Sequence, residues 1–202
     1  MAERLRLPGA RDVRATLDWG DGDRVVVACP PHPLMGGDRT DPRLRAVSDA
    51  LGQRGVGCLR IDYGAWDEGR GEQADVHSAL AWGRERYAGV GVFGYSFGGA
   101  VTLLAAATAS RERDREAPDA ISALAPAATV GDGLNVAAAV ADIECPIQVV
   151  YGERDGTANS EPVADAVHER GGAVEALPAD HFFVGQREKV AKLIATFLAD
   201  RL

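Results

Sequence analysis

Lysine is nearly absent from this 202-residue chain: of 22 basic residues only Lys189 and Lys192 are lysines, and arginine supplies the rest. Basic residues are outnumbered by 30 acidic ones, which leaves a net charge of −8. Binding a nucleic-acid backbone calls for a basic face, so that class of partner is not expected. The acidic, lysine-poor balance fits a host adapted to high salt, although a GC-rich genome would favour arginine in the same way. Long apolar runs are missing too. None approaches the roughly 20 residues needed to cross a bilayer, and the opening residues Met1 to Pro8 have no apolar core like that of a signal peptide. No membrane association is expected, and the expected compartment is the cytoplasm. Cysteine is scarce: Cys29, Cys58 and Cys145 stand alone without Cys-Xaa-Xaa-Cys spacing, so neither a disulfide framework nor a structural metal is expected.

What is present is ordinary globular material. A 46% hydrophobic content is too high for disorder, and 202 residues suit one domain, so residues 1–202 are read as a single unit. Apolar runs predict strands at 13–19, 24–29, 56–61, 90–94, 119–125, 146–151 and 173–177. Helical patterns fall between them at 41–54, 71–87, 96–110, 159–170 and 185–200. Alternation of this kind predicts an α/β fold: a three-layer α/β/α sandwich around a mostly parallel sheet of about seven strands. The first strand is joined to the second by Gly20-Asp21-Gly22-Asp23, which reads as an antiparallel edge hairpin. The charged run 111–116 reads as solvated surface. Residues 126–145 hold at most one short helix, at 134–141, so no large lid is expected over the sheet and the cleft should be open.

Gly94-Tyr95-Ser96-Phe97-Gly98 lies between the strand at 90–94 and the Ala-rich helix that follows. A serine at a sharp strand-to-helix corner has its hydroxyl exposed at the carboxyl end of the sheet, which makes Ser96 a candidate nucleophile. The alternative is a simple helix N-cap. A serine hydroxyl needs an imidazole to accept its proton and a carboxylate to orient that imidazole. Both are found downstream, each just past a strand: Asp155 in Gly152-Glu153-Arg154-Asp155-Gly156, and His181 in Ala179-Asp180-His181-Phe182-Phe183. Glu153 and Asp180 are rival carboxylates, but Asp180 directly precedes His181 and would point elsewhere. His77 and His168 fall on helical patterns and read as helix-surface residues.

Stabilising an oxyanion requires backbone N–H donors from the residue after the nucleophile and from the loop after an early strand. Phe97 supplies the first. In Pro30-Pro31-His32-Pro33-Leu34-Met35-Gly36-Gly37 the prolines cannot donate, so Leu34 is the first choice and Met35 the second. His32 is expected to brace this loop through its ring nitrogens. Trp66, Tyr95 and Phe182 are candidate pocket residues, with core packing as the alternative.

These segments resemble the α/β-hydrolase superfamily. Within it they resemble small lid-less hydrolases with a His-Pro-His-Pro-Xaa-Xaa-Gly-Gly loop, a Gly-Tyr/Phe-Ser-Phe-Gly corner and an Ala-Asp-His-Phe-Phe stretch. The likeness runs from about residue 13 to the end, with two departures: proline at position 30 replaces the first histidine, and Ile61 to Trp66 lacks the Arg-Gly run of relatives. The resemblance implies a serine hydrolase, acting without cofactor on a small-molecule acyl substrate such as an ester, thioester or amide. A non-catalytic binding protein, a peptidase and an acyltransferase on the same scaffold remain alternatives, and neither substrate nor oligomeric state follows from the sequence.

Overall fold

The computed structural model describes residues 2–9, 11–112 and 115–202. Arg113 and Asp114, within the charged run, lie outside the described residues. The strands are β1 (Ala2–Arg6), β2 (Arg14–Asp18), β3 (Arg24–Cys29), β4 (Gly57–Asp62), β5 (Gly89–Tyr95), β6 (Ile121–Leu124), β7 (Thr129–Val130), β8 (Leu134–Asn135), β9 (Ile147–Gly152) and β10 (Ala173–Leu177). The helices are α1 (Pro42–Gly52), α2 (Arg70–Arg84), α3 (Phe97–Arg111), α4 (Val136–Ala139), α5 (Glu161–Glu169) and α6 (Arg187–Ala199).

Eight strands form one sheet in the order β1-β2-β4-β3-β5-β6-β9-β10. From β4 to β10 all neighbours are parallel; β1 pairs antiparallel with β2, and β2 with β4. Side chains alternate across a strand, and β3 shows what that does here. Val25, Val27 and Cys29 enter the core shared with α2, α3 and α5, while Val26 and Ala28 enter the core shared with α1 and α6. Helices on both faces bury the central strands twice over, hence their unbroken apolar runs. The three-layer architecture thus agrees with expectation.

Two sequence expectations are corrected at the sheet's edge. The main sheet has eight strands where about seven were expected, because the exposed segment Ala2–Arg6 adds an outer one, and with Leu5 its only partly buried apolar side chain it gives almost no hydrophobic signal. Nor does β2 form an edge hairpin with β3, because β4 lies between them. The Gly20–Asp23 segment instead crosses the start of β4: the Gly22 N–H donates to Gly55 O at 2.9 Å, and a Cβ at Gly20 would collide with the Val56–Gly57 backbone. Its glycines serve a close crossing, not a tight turn.

The expected helix at 134–141 is shorter than predicted. The ribbon β7–β8 leads into α4, capped by Asn135 accepting from the Ala138 N–H, and then into a 3₁₀ turn at Val140–Asp142. These short elements make up the whole connection from β6 to β9. Among the described residues no helix is long and apolar enough to cross a membrane.

Candidate active site

Ser96 sits where β5 turns into α3. Its backbone has φ 56° and ψ −118°, in the left-handed half of φ space that costs a non-glycine residue on the order of 1–3 kcal/mol. The corner is over-determined by its neighbours. The Ser96 N–H donates to Leu124 O at 2.8 Å, a Cβ at Gly94 would strike the Gly98 carbonyl, and one at Gly98 would strike the carbonyls of Cys29 and Pro30. The last contact lays the end of β3 against the first turn of α3, so the loop after β3 begins beside the serine. The helix-cap alternative fails, since the Ser96 side chain makes no capping hydrogen bond.

Three distant side chains meet at this corner. His181 Nε2 lies 3.0 Å from Ser96 Oγ, and His181 Nδ1 lies 2.7 Å from Asp155 Oδ2. A carboxylate only accepts, so in a neutral imidazole the proton belongs on Nδ1 and Nε2 is left to accept from the serine hydroxyl. The Asp155 side chain is 2% exposed, and its other oxygen accepts from the N–H groups of Thr157 at 2.8 Å and Ala158 at 3.1 Å. The rivals are elsewhere: Glu153 is exposed, and exposed Asp180 accepts from the Phe182 N–H at 3.0 Å. His168 is exposed, as expected. His77 is not: it is 9% exposed, neither ring nitrogen has a partner among the described residues, and burial pushes its pKa down to about 4.

On the other side of Ser96, residues 33–35 form a single 3₁₀ turn closed by Gly36 at φ 82°. The Met35 N–H donates to His32 O at 3.0 Å, which occupies it and leaves Leu34 the better donor. Phe97 opens α3, where a first-turn N–H has no helical acceptor. His32 does not brace the loop through its nitrogens. Its Nδ1 is buried without a partner among the described residues, and the ring packs on Trp66 at 4.5 Å and Phe97 at 5.0 Å between centroids. Burial pushes its pKa down, partly offset by Glu72. Trp66 also meets Phe97 at 5.4 Å, so its ring is a wall of the loop. Phe182 is 57% exposed at the mouth and stands edge-on to His181. Tyr95 departs from expectation: its ring is buried in the core facing α1 and α6, because it shares a strand face with core residue Phe93.

Two supporting carboxylates escaped the sequence reading. Glu72 is fully buried and accepts from the N–H groups of Asp67 at 2.9 Å and Gly69 at 2.8 Å. Asp75, also fully buried, accepts from the Gly64 N–H at 2.9 Å and from Arg11 Nε at 2.6 Å, and burial raises its pKa. Together they fix the 62–69 loop that carries Trp66. The glutamate three residues after Gly69 has capping-box spacing, the one signal that could have found it.

No family model and no curated protein matches the chain by sequence. Solved structures match it over nearly its whole length. An α/β serine hydrolase without lid from Xanthomonas campestris is 21% identical, with 99% of this chain and 94% of that one covered and a TM-score of 0.78. An α/β serine hydrolase homologue from Coxiella burnetii is 23% identical, covers 97% of both chains and has a TM-score of 0.79. Est1E from Butyrivibrio proteoclasticus is 17% identical, covers 98% of both and has a TM-score of 0.82. The resemblance read from the motifs therefore holds at the level of architecture: the chain has the α/β-hydrolase fold in its lid-less form.

Proposed function

We propose that the chain is a serine hydrolase that cleaves a small carboxylic ester through an acyl-Ser96 intermediate. The observation that carries this reading is the unbroken run of hydrogen bonds from Asp155 through His181 to Ser96 Oγ, at 2.7 and 3.0 Å. In the proposed cycle Oγ attacks the acyl carbon while His181 Nε2 takes its proton. Negative charge develops on the carbonyl oxygen, where the N–H groups of Phe97 and Leu34 donate to it. The carbon–oxygen bond to the alcohol breaks as His181 returns the proton to the leaving oxygen. Water, giving its proton to the same nitrogen, then attacks the acyl carbon; the bond to Oγ breaks as His181 passes that proton to Ser96, and the carboxylic acid leaves. Asp155 holds the imidazole in the productive tautomer and stabilises its charged form.

Solved neighbours described as serine hydrolases and esterases support the reaction class, and Est1E has a structure with ferulic acid bound. Exposed apolar groups support an uncharged acyl or alcohol portion. Of the five large exposed apolar residues among the described residues, Leu34, Met35, Phe182 and Val184 belong to the two loops that flank Ser96, and Trp19 lies elsewhere. Apolar surface concentrated at a polar centre fits a substrate that covers it. The net charge of −8 argues against a polynucleotide, and buried free thiols at Cys29 and Cys58 fit a reducing cytoplasm.

Ser96→Ala should abolish hydrolysis of a short-acyl p-nitrophenyl ester and end labelling by a fluorophosphonate, with the fold intact by circular dichroism. Turnover retained in that variant refutes the assignment.

A further inference from the structure

Tyr95 precedes the nucleophile, yet its side chain turns away from the cleft and is 2% exposed. Its hydroxyl donates to the main-chain oxygen of His181 at 3.0 Å, across 86 residues of sequence. We infer that Tyr95 is a positioning residue for the general base, holding the His181 backbone at the distance from β5 that the Ser96–His181 contact requires. The inference rests on the serine-hydrolase reading above.

The reasoning begins with β5. Ser96 and Tyr95 are consecutive, so one strand end sets both partners: the serine by its backbone, and the imidazole by the tyrosine hydroxyl. His181 needs such a tether, because it lies in the connection between the end of β10 at Leu177 and the start of α6 at Arg187. That connection is irregular, with Phe183 at φ 53°. Without a restraint on residue 181 itself, small backbone shifts there would lengthen the 3.0 Å contact to Ser96 Oγ.

The tyrosine ring is itself held. It lies 5.4 Å from the His181 ring, inclined by 31°, and the Arg43 guanidinium sits 4.5 Å from its centroid. Arg43 is fixed by Asp41, the cap of α1, through Nε at 2.9 Å and a second contact from Nη2. The chain of contacts thus runs from α1 through Arg43 and Tyr95 to the imidazole. Burial pushes the Tyr95 pKa up to about 12, so the hydroxyl remains a donor over any practical assay range. A phenylalanine would fill the same core volume. What the oxygen adds is the bond to His181.

Tyr95→Phe should lower kcat about tenfold while KM stays within about twofold, because lost alignment acts on the reacting geometry and not on substrate affinity. Para-aminophenylalanine at position 95 restores a donor and should recover most of that loss, which a packing role would not require. A second reading needs no substrate: in the proton NMR spectrum, the low-field resonance of the His181–Asp155 hydrogen bond should broaden in Tyr95→Phe. That signal distinguishes failure of this inference from failure of the hydrolase assignment, which would appear as a wild type without turnover but with an intact resonance that still responds to Tyr95. Should Tyr95→Phe not fold, Arg43→Met, which keeps every hydrogen bond to His181, should lower kcat about twofold and broaden the same resonance. An unchanged kcat and an unchanged resonance in the variant that folds overturn the proposal.

Discussion

The two flanks of Ser96 are built by different means. On the β9–β10 side nearly every restraint is a directed hydrogen bond: Asp155 to two backbone N–H groups and to His181, and Tyr95 to the His181 carbonyl. On the β3 side the loop 30–35 is held by its 3₁₀ turn, by packed rings and by a single side-chain hydrogen bond, from the Tyr63 hydroxyl to Pro30 O at 3.3 Å, with the His32 Nδ1 left without a partner among the described residues. The contrast follows from what each flank has to offer. An imidazole passing a proton needs a fixed angle and a fixed tautomer, which hydrogen bonds supply and van der Waals packing does not. Backbone dipoles come with their direction built in, so the loop that offers them only has to be kept in place, and ring packing is enough for that.

The contrast can be broken from either side. The largest effect should come from Asp155→Asn, which keeps the shape but offers the imidazole the wrong partner. kcat should fall by roughly three to four orders of magnitude with little change in thermal unfolding. Steady-state kinetics on a p-nitrophenyl ester measure the first, calorimetry the second. A loss below tenfold would mean that the polar flank does not depend on direction.

Trp66→Ala attacks the packed flank. Losing a partly buried ring that touches His32 and Phe97 should cost about 2 kcal/mol in urea unfolding and about tenfold in kcat, with the two falling together. Loss of stability at full kcat would show that the loop keeps its place without the rings.

The smallest effect should come from His32→Phe, which keeps a ring and removes two nitrogens. At neutral pH kcat should stay within about twofold of wild type. Acid should separate the two proteins. Burial lowers the His32 pKa below its ordinary 6.5, so the unfolded chain binds this proton more readily than the folded one, and wild-type stability falls as pH drops through 6.5. The variant lacks that term. Its thermal midpoint should rise relative to wild type below pH 6.5 and match it above, and parallel curves over the whole range would contradict the packing account.

Much of this arrangement was readable in the residues. The serine corner and both of its partners follow strand ends, which apolar runs mark well. What stayed hidden involves choices of face and partner that local pattern does not encode. A strand buried on both sides, such as β5, gives no contrast between its faces, so the pattern leaves Tyr95 open between cleft and core, although its two-residue spacing from Phe93 puts both rings on one side. The order of β2, β4 and β3 depends on pairings between distant segments, and the glycines at 20 and 22 look the same whether they turn a hairpin or cross a strand. His77 reads from the sequence as a helix-surface residue, and nothing in the pattern separates Glu72 or Asp75 from it, yet all three are buried on α2.

The backbone angle at position 96 also sets stability against chemistry. Glycine visits φ 56° without penalty, so for folding alone it is the better residue there, by about 1 kcal/mol. A chain optimised only for endurance would have made that exchange. Ser96→Gly should therefore steady the fold while removing the attacking oxygen, so at this corner endurance and chemistry ask for different residues.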